Sequence, residues 1–440
     1  MGLTEFSEAL GKIGEQSAIY IYADPVVPDF TTGKGFDLNV FGSGISATTE
    51  VNPKTCRNIA SMLDMVITVP GKTLLAYDIK STISYIRHYL NKGLKVRGNL
   101  IDIRIIEKFM GKDERPPITF VDAVTRSREL MKDKSWLPLF KKLHQPLAVE
   151  TIPAMETVAL LDTQAKFAKW SHYEIEGQTN GRLRSYKAFD RSYLPHTLSH
   201  DQKQFFKPRG VKESFLYFDI KNCEVTVMGW LSGDEYLYSL THGDADVYAA
   251  IYKDITGDQC NSDKKREIAK LMFLSVMYGS GYKTLSEKLK INFKIAEELV
   301  ARIHSRFKTT SNYMKSLQEQ AKDGPITDKF GRKREYESPY IARNAVTQAA
   351  AAVACLEKLN EIHAALKSTP ARLCLSVHDA YCVVCPTDYL KDAYNKIKSI
   401  FKVDSNLCDG LRFKVGYSVG DTLGTLTSLS IGGEKTPTFL

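Results

Sequence analysis

Two rhythms of apolar residues divide the chain. Strand-like runs, alternating or continuously apolar, occur at SAIYIYAD (17–24), SFLYFD (214–219), RLCLSVHD followed by AYCVVC (372–385) and RFKVGYSVG (412–420). Helical spacing dominates SRELMKDKSWLPLFKKLH (127–144), ETIPAMETVALLD (150–162) and most of 223–323. Strands and helices alternate up to PPITFVDAV (116–124), which predicts an α/β domain over 1–124. Residues 125–178 read as two or three connecting helices. From 179 onward helices interrupt a mostly antiparallel sheet, an α+β pattern, so the fold class is α/β and α+β, multidomain.

Composition narrows the class. A chain of 440 residues with 43% apolar side chains can bury two or three cores. Lysine and arginine exceed aspartate and glutamate by 60 to 51, a net +9 that suits a polyanionic partner without identifying one. Eight cysteines follow no disulfide framework, and Cys382 with Cys385 lacks the second pair that a zinc site needs, so reduced thiols are expected. The start, MGLTEFSEALG, has no apolar signal-peptide core, and Phe6 breaks the myristoylation pattern. The apolar stretch AVTQAAAAVACL (345–356) is too short to span a bilayer. These features lead us to expect a soluble, cytoplasmic protein with no membrane partner.

Asp219 ends one apolar strand and Asp379 sits at the tip of a hairpin formed by two others. Alone, each is an ordinary turn former. If their strands are neighbours, one sheet rim presents two carboxylates, suited to a pair of Mg²⁺ ions acting on a phosphoryl group. In KREIAKLMFLSVMYGSG (265–281), Arg266, Lys270, Leu274 and Tyr278 share one helical face. An isolated R-x3-K is a solvated face. Beside two metal-binding carboxylates it matches the charge, base and reacting phosphoryl group of a nucleoside triphosphate. Basic clusters RLRSYKAFDR (182–191), KPRGVK (207–212) and KFGRKR (329–334) interleave with aromatics, as a nucleic-acid track would.

These segments, in this order, resemble the motifs of family A DNA polymerases, the DNA polymerase I type. FDIKNCEVTVMGWLSGD (218–234) is similar to motif A. The resemblance implies metal binding by Asp219 and the Ile220 carbonyl, and exclusion of ribonucleotides by Glu224. R-x3-K-x7-Y-G is similar to motif B, implying Arg266 and Lys270 on the triphosphate, with Lys270 also catalytic, and Tyr278 at the nascent base pair. Leu274 replaces the family's aromatic residue there. SVHDAY (376–381) is similar to motif C, with Asp379 as the second metal ligand, His378 near the primer end, and Ala380 in place of the usual acid. TNGRLRS (179–185) resembles TGRLSS and offers Arg182 to the primer-side duplex. Asn344 and Gln348 fit the helix before motif C as DNA contacts, Tyr340 replaces an arginine of the family, and Tyr248 stands where a histidine lies near the triphosphate.

The resemblance implies a degenerate, RNase H-like 3′–5′ exonuclease domain over 1–124, a helical connector or thumb remnant over 125–178, an antiparallel palm over 179–245 and 339–440, and helical fingers over 246–338. The exonuclease carboxylates are missing: Asp24 is followed by Val26 instead of a glutamate, and Thr82 takes the place of the second motif's aspartate. Where the family has a helical thumb, TQAKFAKWSHYEIEGQ (163–178) intervenes. The expectation is a DNA-templated DNA polymerase using two Mg²⁺ ions, or Mn²⁺ in their place, with primer-template DNA and deoxynucleoside triphosphates as partners. It would have no proofreading and low processivity unless a replisome protein replaces the thumb. The alternatives are a single-subunit RNA polymerase or primase, which Glu224 argues against, an inactive nucleic-acid-binding scaffold, and template-independent extension.

Overall fold

The structure is a computed structural model that describes residues 2–24, 35–67, 71–90, 96, 99–112, 115–117, 119–188 and 191–429. Its first layer is a five-stranded sheet in the order β3-β2-β1-β4-β5. The strands are β1 (Ala18–Asp24), β2 (Phe36–Gly42), β3 (Ile45–Val51), β4 (Thr73–Tyr77) and β5 (Asn99–Asp102). β1 to β3 form an antiparallel meander, whereas β1, β4 and β5 run parallel. The layer includes α1 (Leu3–Gly14), α2 (Cys56–Ile67), α3 (Ile79–Leu90), α4 (Ile103–Phe109) and α5 (Phe120–Leu130), and α3 provides the crossover that parallel pairing of β4 with β5 requires. The α/β expectation for this segment is met. Asp102 caps α4 by accepting from the Ile105 N–H, and also accepts from the N–H groups of Asp78 and Ile79. Burial, then the neighbouring Asp78, pushes its carboxyl up to about 7.

Thr82, on α3, is buried, and Asp24 ends β1 opposite Asp37 in β2. Val26 lies outside the described residues.

The connector is helical from Leu137 to Glu156. α6 (Leu137–Leu139) and α7 (Ile152–Glu156) flank two π-helical segments, Phe140–His144 and Leu147–Thr151. Pro146 and Pro153 lie inside this stretch. Proline removes an amide donor and crowds the preceding turn, and a widened helix relieves that conflict.

Beyond Glu156 the expected helix gives way to strands. LLD forms β6 (Leu160–Asp162), which pairs antiparallel with β7 (Phe167–Ser171). β8 (Tyr173–Glu174) pairs with β9 (Arg184–Ser185). β10 (Ser192–Tyr193) and, after the short α8 (His200–Lys203), β11 (Phe206–Lys207) complete a small sheet in the order β10-β7-β6-β11. The described residues 157–181 contain no helix, so a β-hairpin stands where a thumb remnant was expected.

The third layer is an antiparallel sheet in the order β15-β16-β12-β17-β18. Its central strand is β12 (Glu213–Ile220). After it come α9 (Cys223–Ser232), α10 (Glu235–His242), α11 (Val247–Thr256), α12 (Asp263–Met277), α13 (Tyr282–Leu289), α14 (Phe293–Arg306) and α15 (Lys308–Gln320). A hairpin of β13 (Ile326–Thr327) and β14 (Lys333–Arg334) leads to the 28-residue α16 (Pro339–Leu366), which Pro339 opens at a position where no amide donor is needed. The chain then returns through β15 (Arg372–Val377), β16 (Ala380–Pro386), α17 (Leu390–Ile400), β17 (Val415–Gly420) and β18 (Thr427–Leu429).

The middle of β12, Phe215 to Phe218, is continuously apolar, which suits a strand covered on both faces. Leu216, Phe218 and Ile220 join the core that contains α16 and α17. Phe215 and Tyr217 join a smaller core with Leu160, Tyr193 and Phe206. Phe273, Met277, Phe307 and Met314 belong to a separate core for the helices between β12 and α16.

Three buried glutamates stitch the layers together. Glu156 binds Lys80 of α3 at 3.1 Å and accepts from the Tyr173 N–H at 2.8 Å. Glu174 meets Arg104 at 2.6 Å, Lys108 at 3.0 Å, and Arg184. Glu176 binds Arg332 at 2.6 Å and His144 at 2.8 Å. Burial alone would raise the Glu156 carboxyl, but the charge of Lys80 and a hydrogen bond from His172 outweigh it and hold the group down at about 2. Its stabilising contribution is therefore complete above the ordinary value near 4.5 and is lost as pH falls through about 2.

Removing one partner of such a pair leaves a buried charge uncompensated. Glu176→Ala, which leaves Arg332 with Asp328 alone and removes the carboxylate that His144 bonds, should lower stability by about 3 kcal/mol, read as an earlier denaturant midpoint. Removal of the exposed pair Lys322–Glu319 should change stability by no more than about 0.5 kcal/mol.

Candidate active site

Asp219 lies one residue before the end of β12, directly opposite Ala380 in β16 and Gly416 in β17. Asp379 occupies the turn of the β15–β16 hairpin, next to His378, whose φ of +57° makes the reversal. The Ile220 N–H donates to the Asp379 carbonyl at 3.0 Å, so the ladder reaches the last residue of the strand. The two expected carboxylates therefore share one rim. Burial, then the negative charge of Asp219, raises the Asp379 carboxyl above its ordinary value. Ala380 is 3% exposed, so an acid at that position would be buried within the strand.

A cleft of about 450 Å³ opens at this rim. It is lined by Asp219, Ile220 and Asp379 on the sheet side, Glu224 at the start of α9, Arg182 from the 179–185 loop, and Arg266, Lys270 and Leu274 along α12. Ser262 starts α12 by accepting from the Lys265 N–H. The helix ends at Tyr278-Gly279, where φ is +98° and a Cβ would come within 2.9 Å of the Tyr340 ring, so both backbone angle and space require glycine.

Arg266 is held by Asp246, at 2.8 Å, and lies over the Tyr248 ring at 5.2 Å. Asp246 also caps α11 by accepting from the Ala249 N–H. Tyr248 is 4% exposed and lines the cleft. Lys270 is exposed on the same wall.

Glu224 gathers groups from three other segments. One carboxylate oxygen accepts from the Tyr278 hydroxyl at 3.1 Å, the other from the Gln348 amide at 3.1 Å, and Arg182 approaches to 3.7 Å. Gln348 in turn accepts from Asn180 at 2.9 Å. Burial first, then the charge of Glu224, raises the Tyr278 hydroxyl and keeps it a donor. Tyr278 and Gln348 thus stand one hydrogen bond behind the cleft wall. Asn344 is not on that wall, and its side-chain oxygen is buried with no hydrogen-bond partner among the described residues.

His378 stacks on His196, with ring centroids 4.7 Å apart, and His196 bonds the Ser185 hydroxyl at 2.8 Å. Burial, then His378 and Arg182, lowers the His196 imidazole to about 4, so this ring is neutral near pH 7. Sequence reasoning missed both His196 and Asn180. Each falls near a quoted motif, but nothing in the spacing ties it to its partner.

The expected basic track is only partly a surface feature. In KFGRKR, Arg332 is buried against Glu176 and Asp328, and Arg334 is buried against the carbonyls of Lys108, Phe109 and Thr179. Lys329 covers the Trp230 ring at 4.1 Å, and Lys333 is exposed. Buried acceptors, invisible in a local sequence window, claim two of these four cations.

Among the described residues no group of three or more His, Cys, Asp or Glu side chains is arranged to hold a metal ion. The rim offers two carboxylates and a backbone carbonyl, all hard oxygen donors. That set suits a divalent ion such as Mg²⁺ that takes its remaining ligands from water and phosphate oxygens.

Sheet, paired carboxylates and cationic helix together define a polymerase-type fold. The model of DNA polymerase family A matches residues 171–425, and the chain belongs to that family. It is 26% identical over 235 residues to DNA polymerase I of Chloroflexus aurantiacus, covering 50% of this chain and 25% of that protein. It is 23% identical over 261 residues to the DNA polymerase of Bacillus phage SP01, covering 52% and 28%. The matched segment thus spans about a quarter of these relatives' length. The POL domain of Pol1 from M. smegmatis, solved in complex with DNA primer-template and dNTP, superposes with a TM-score of 0.75 at 13% identity, over 97% of this chain and 99% of that one. No helix among the described residues is long and apolar enough to cross a membrane.

The Tyr278–Glu224 contact should be separable from packing. A double-mutant cycle of Tyr278→Phe and Glu224→Gln, measured by thermal unfolding, should give a coupling energy of about 1 kcal/mol.

Proposed function

We propose that the chain is a DNA-templated DNA polymerase that adds deoxynucleoside triphosphates to a primer 3′ end. The observation that carries this reading is the meeting of Asp219 and Asp379 at one sheet rim across a cleft from Arg266 and Lys270. Asp219, the Ile220 carbonyl and Asp379 would hold two Mg²⁺ ions, which stabilise negative charge on the reacting phosphoryl group when bound. Arg266 and Lys270 neutralise the triphosphate. For Arg266 this requires exchanging Asp246 for phosphate, and Asp246 keeps the guanidinium pointed at the cleft until then. Glu224, fixed by Tyr278 and Gln348, crowds the sugar's 2′ position and favours deoxynucleotides. Tyr248 backs the guanidinium of Arg266. Arg182, Asn344, Gln348 and His378 are assigned to the DNA side.

In this reading residues 179–245 and 339–440 form the palm and 246–338 the fingers. Residues 1–124 are an exonuclease-like scaffold without proofreading, and a replisome protein supplies the grip that a thumb would give. The protein acts in the cytoplasm of a bacterium or a phage-infected host.

Primer extension tests these assignments. Asp219→Ala or Asp379→Ala should reduce extension on the order of a thousandfold, equivalent to about 4 kcal/mol of transition-state stabilisation. Glu224→Ala should keep extension but relax discrimination against ribonucleotides by about ten- to a hundredfold. A wild-type preference for ribonucleotides would overturn the reading.

Against a DNA trap, each binding event should yield short products, and a labelled primer with an unpaired 3′ end should remain undegraded. Long products from the isolated chain would refute the missing grip.

A further inference from the structure

Lys221 follows the metal-side residues Asp219 and Ile220, and none of the roles above uses it. Its ammonium lies 3.3 Å from Asp219 Oδ2, within ionic reach. Its backbone is fixed on both sides: the Lys221 N–H donates to the Lys414 carbonyl at 2.8 Å, and the next residue, Asn222, turns the chain into α9 with φ +53°. The stem lies across Gly416, the strand neighbour of Asp219. A Cβ at that position would come within 2.3 Å of Lys221 Cε and 2.8 Å of Nζ. The missing side chain of Gly416 is therefore the space through which the ammonium reaches the carboxylate.

We propose that Lys221 is a tethered counter-ion of Asp219, held there through the gap at Gly416, which a divalent cation must displace in order to bind. An ammonium and a divalent ion draw on the same oxygen lone pairs and the same negative potential, so both cannot sit on Asp219 Oδ2 together. The tether reduces repulsion between Asp219 and Asp379 when no metal is bound. It also weakens metal affinity. With side chains 54% and 39% exposed, Lys221 and Asp219 form a pair loose enough to exchange.

The inference rests on Asp219 being a metal ligand, and the test separates the two claims. Mn²⁺ is titrated into the full chain without DNA or nucleotide, and free Mn²⁺ is followed by electron paramagnetic resonance for wild type, Lys221→Ala, Gly416→Ala and Asp219→Asn. Lys221→Ala should tighten Mn²⁺ binding on the order of fivefold, the cost of breaking one pair of unit charges about 4 Å apart in water. Gly416→Ala should shift affinity in the same direction with the lysine still present. Both gains should shrink as salt rises. If Asp219→Asn weakens binding while Lys221→Ala leaves it unchanged or weaker, the counter-ion role is refuted and the ligand role of Asp219 stands. If Asp219→Asn has no effect, the ligand role itself is refuted.

Discussion

Two like charges must stand side by side at the end of a sheet, and the backbone ladder is what holds them there. β12 and β16 stay paired up to the bond from the Ile220 N–H to the Asp379 carbonyl. A slip of one residue would carry Asp219 to the face covered by α16 and α17 and expose Phe218 in its place. Because β12 packs on both faces, such a slip is opposed by the loss of specific packing, of Leu216, Phe218 and Ile220 on one side and of Phe215 and Tyr217 on the other. Phe218 stacks on Tyr381 at 5.4 Å, and the Tyr381 hydroxyl donates to the Cys355 carbonyl of α16 at 2.7 Å, which fixes the sheet against its longest helix. The burial and, after it, the repulsion from Asp219 that raise the Asp379 carboxyl are thus offset by packing some distance away.

Rigid carboxylates need a cleft wall in register with them, and Glu224 supplies the connection. The chain of hydrogen bonds from Asn180 through Gln348 and Glu224 to Tyr278 crosses four segments far apart in sequence: the 179–185 loop, α16, α9 and the end of α12. Part-buried charge-assisted bonds of this kind are stronger than neutral surface ones. The residue assigned to sugar selection therefore also sets the distance between α12 and the sheet.

Much of this was legible from the sequence where a local rule was decisive. Apolar runs ending in aspartate gave β12 and the β15–β16 hairpin almost to the residue, and the 3.6-residue rhythm placed Arg266, Lys270 and Leu274 on one wall. The sequence reading failed where the outcome depended on remote partners. ETIPAMETVALLD has helical spacing throughout, yet the helix stops at Glu156, whose carboxylate binds Lys80 and the Tyr173 N–H, and LLD pairs with β7 instead. KFGRKR reads as a surface patch until Glu176 is seen beneath it. His196 stacks on a ring 182 positions away, a distance that no window spans.

The same glutamates bear on how far the chain could be shortened. Glu174 and Glu176 sit beside the loop that carries Arg182, and Glu156 holds the Tyr173 N–H just ahead of it, but Lys80, Arg104 and Lys108 belong to the first sheet layer. Cutting that layer away would leave two of these three acids, Glu156 and Glu174, without their lysine partners. A layer that lends no side chain to the cleft can still be indispensable as the source of positive charge for its neighbour.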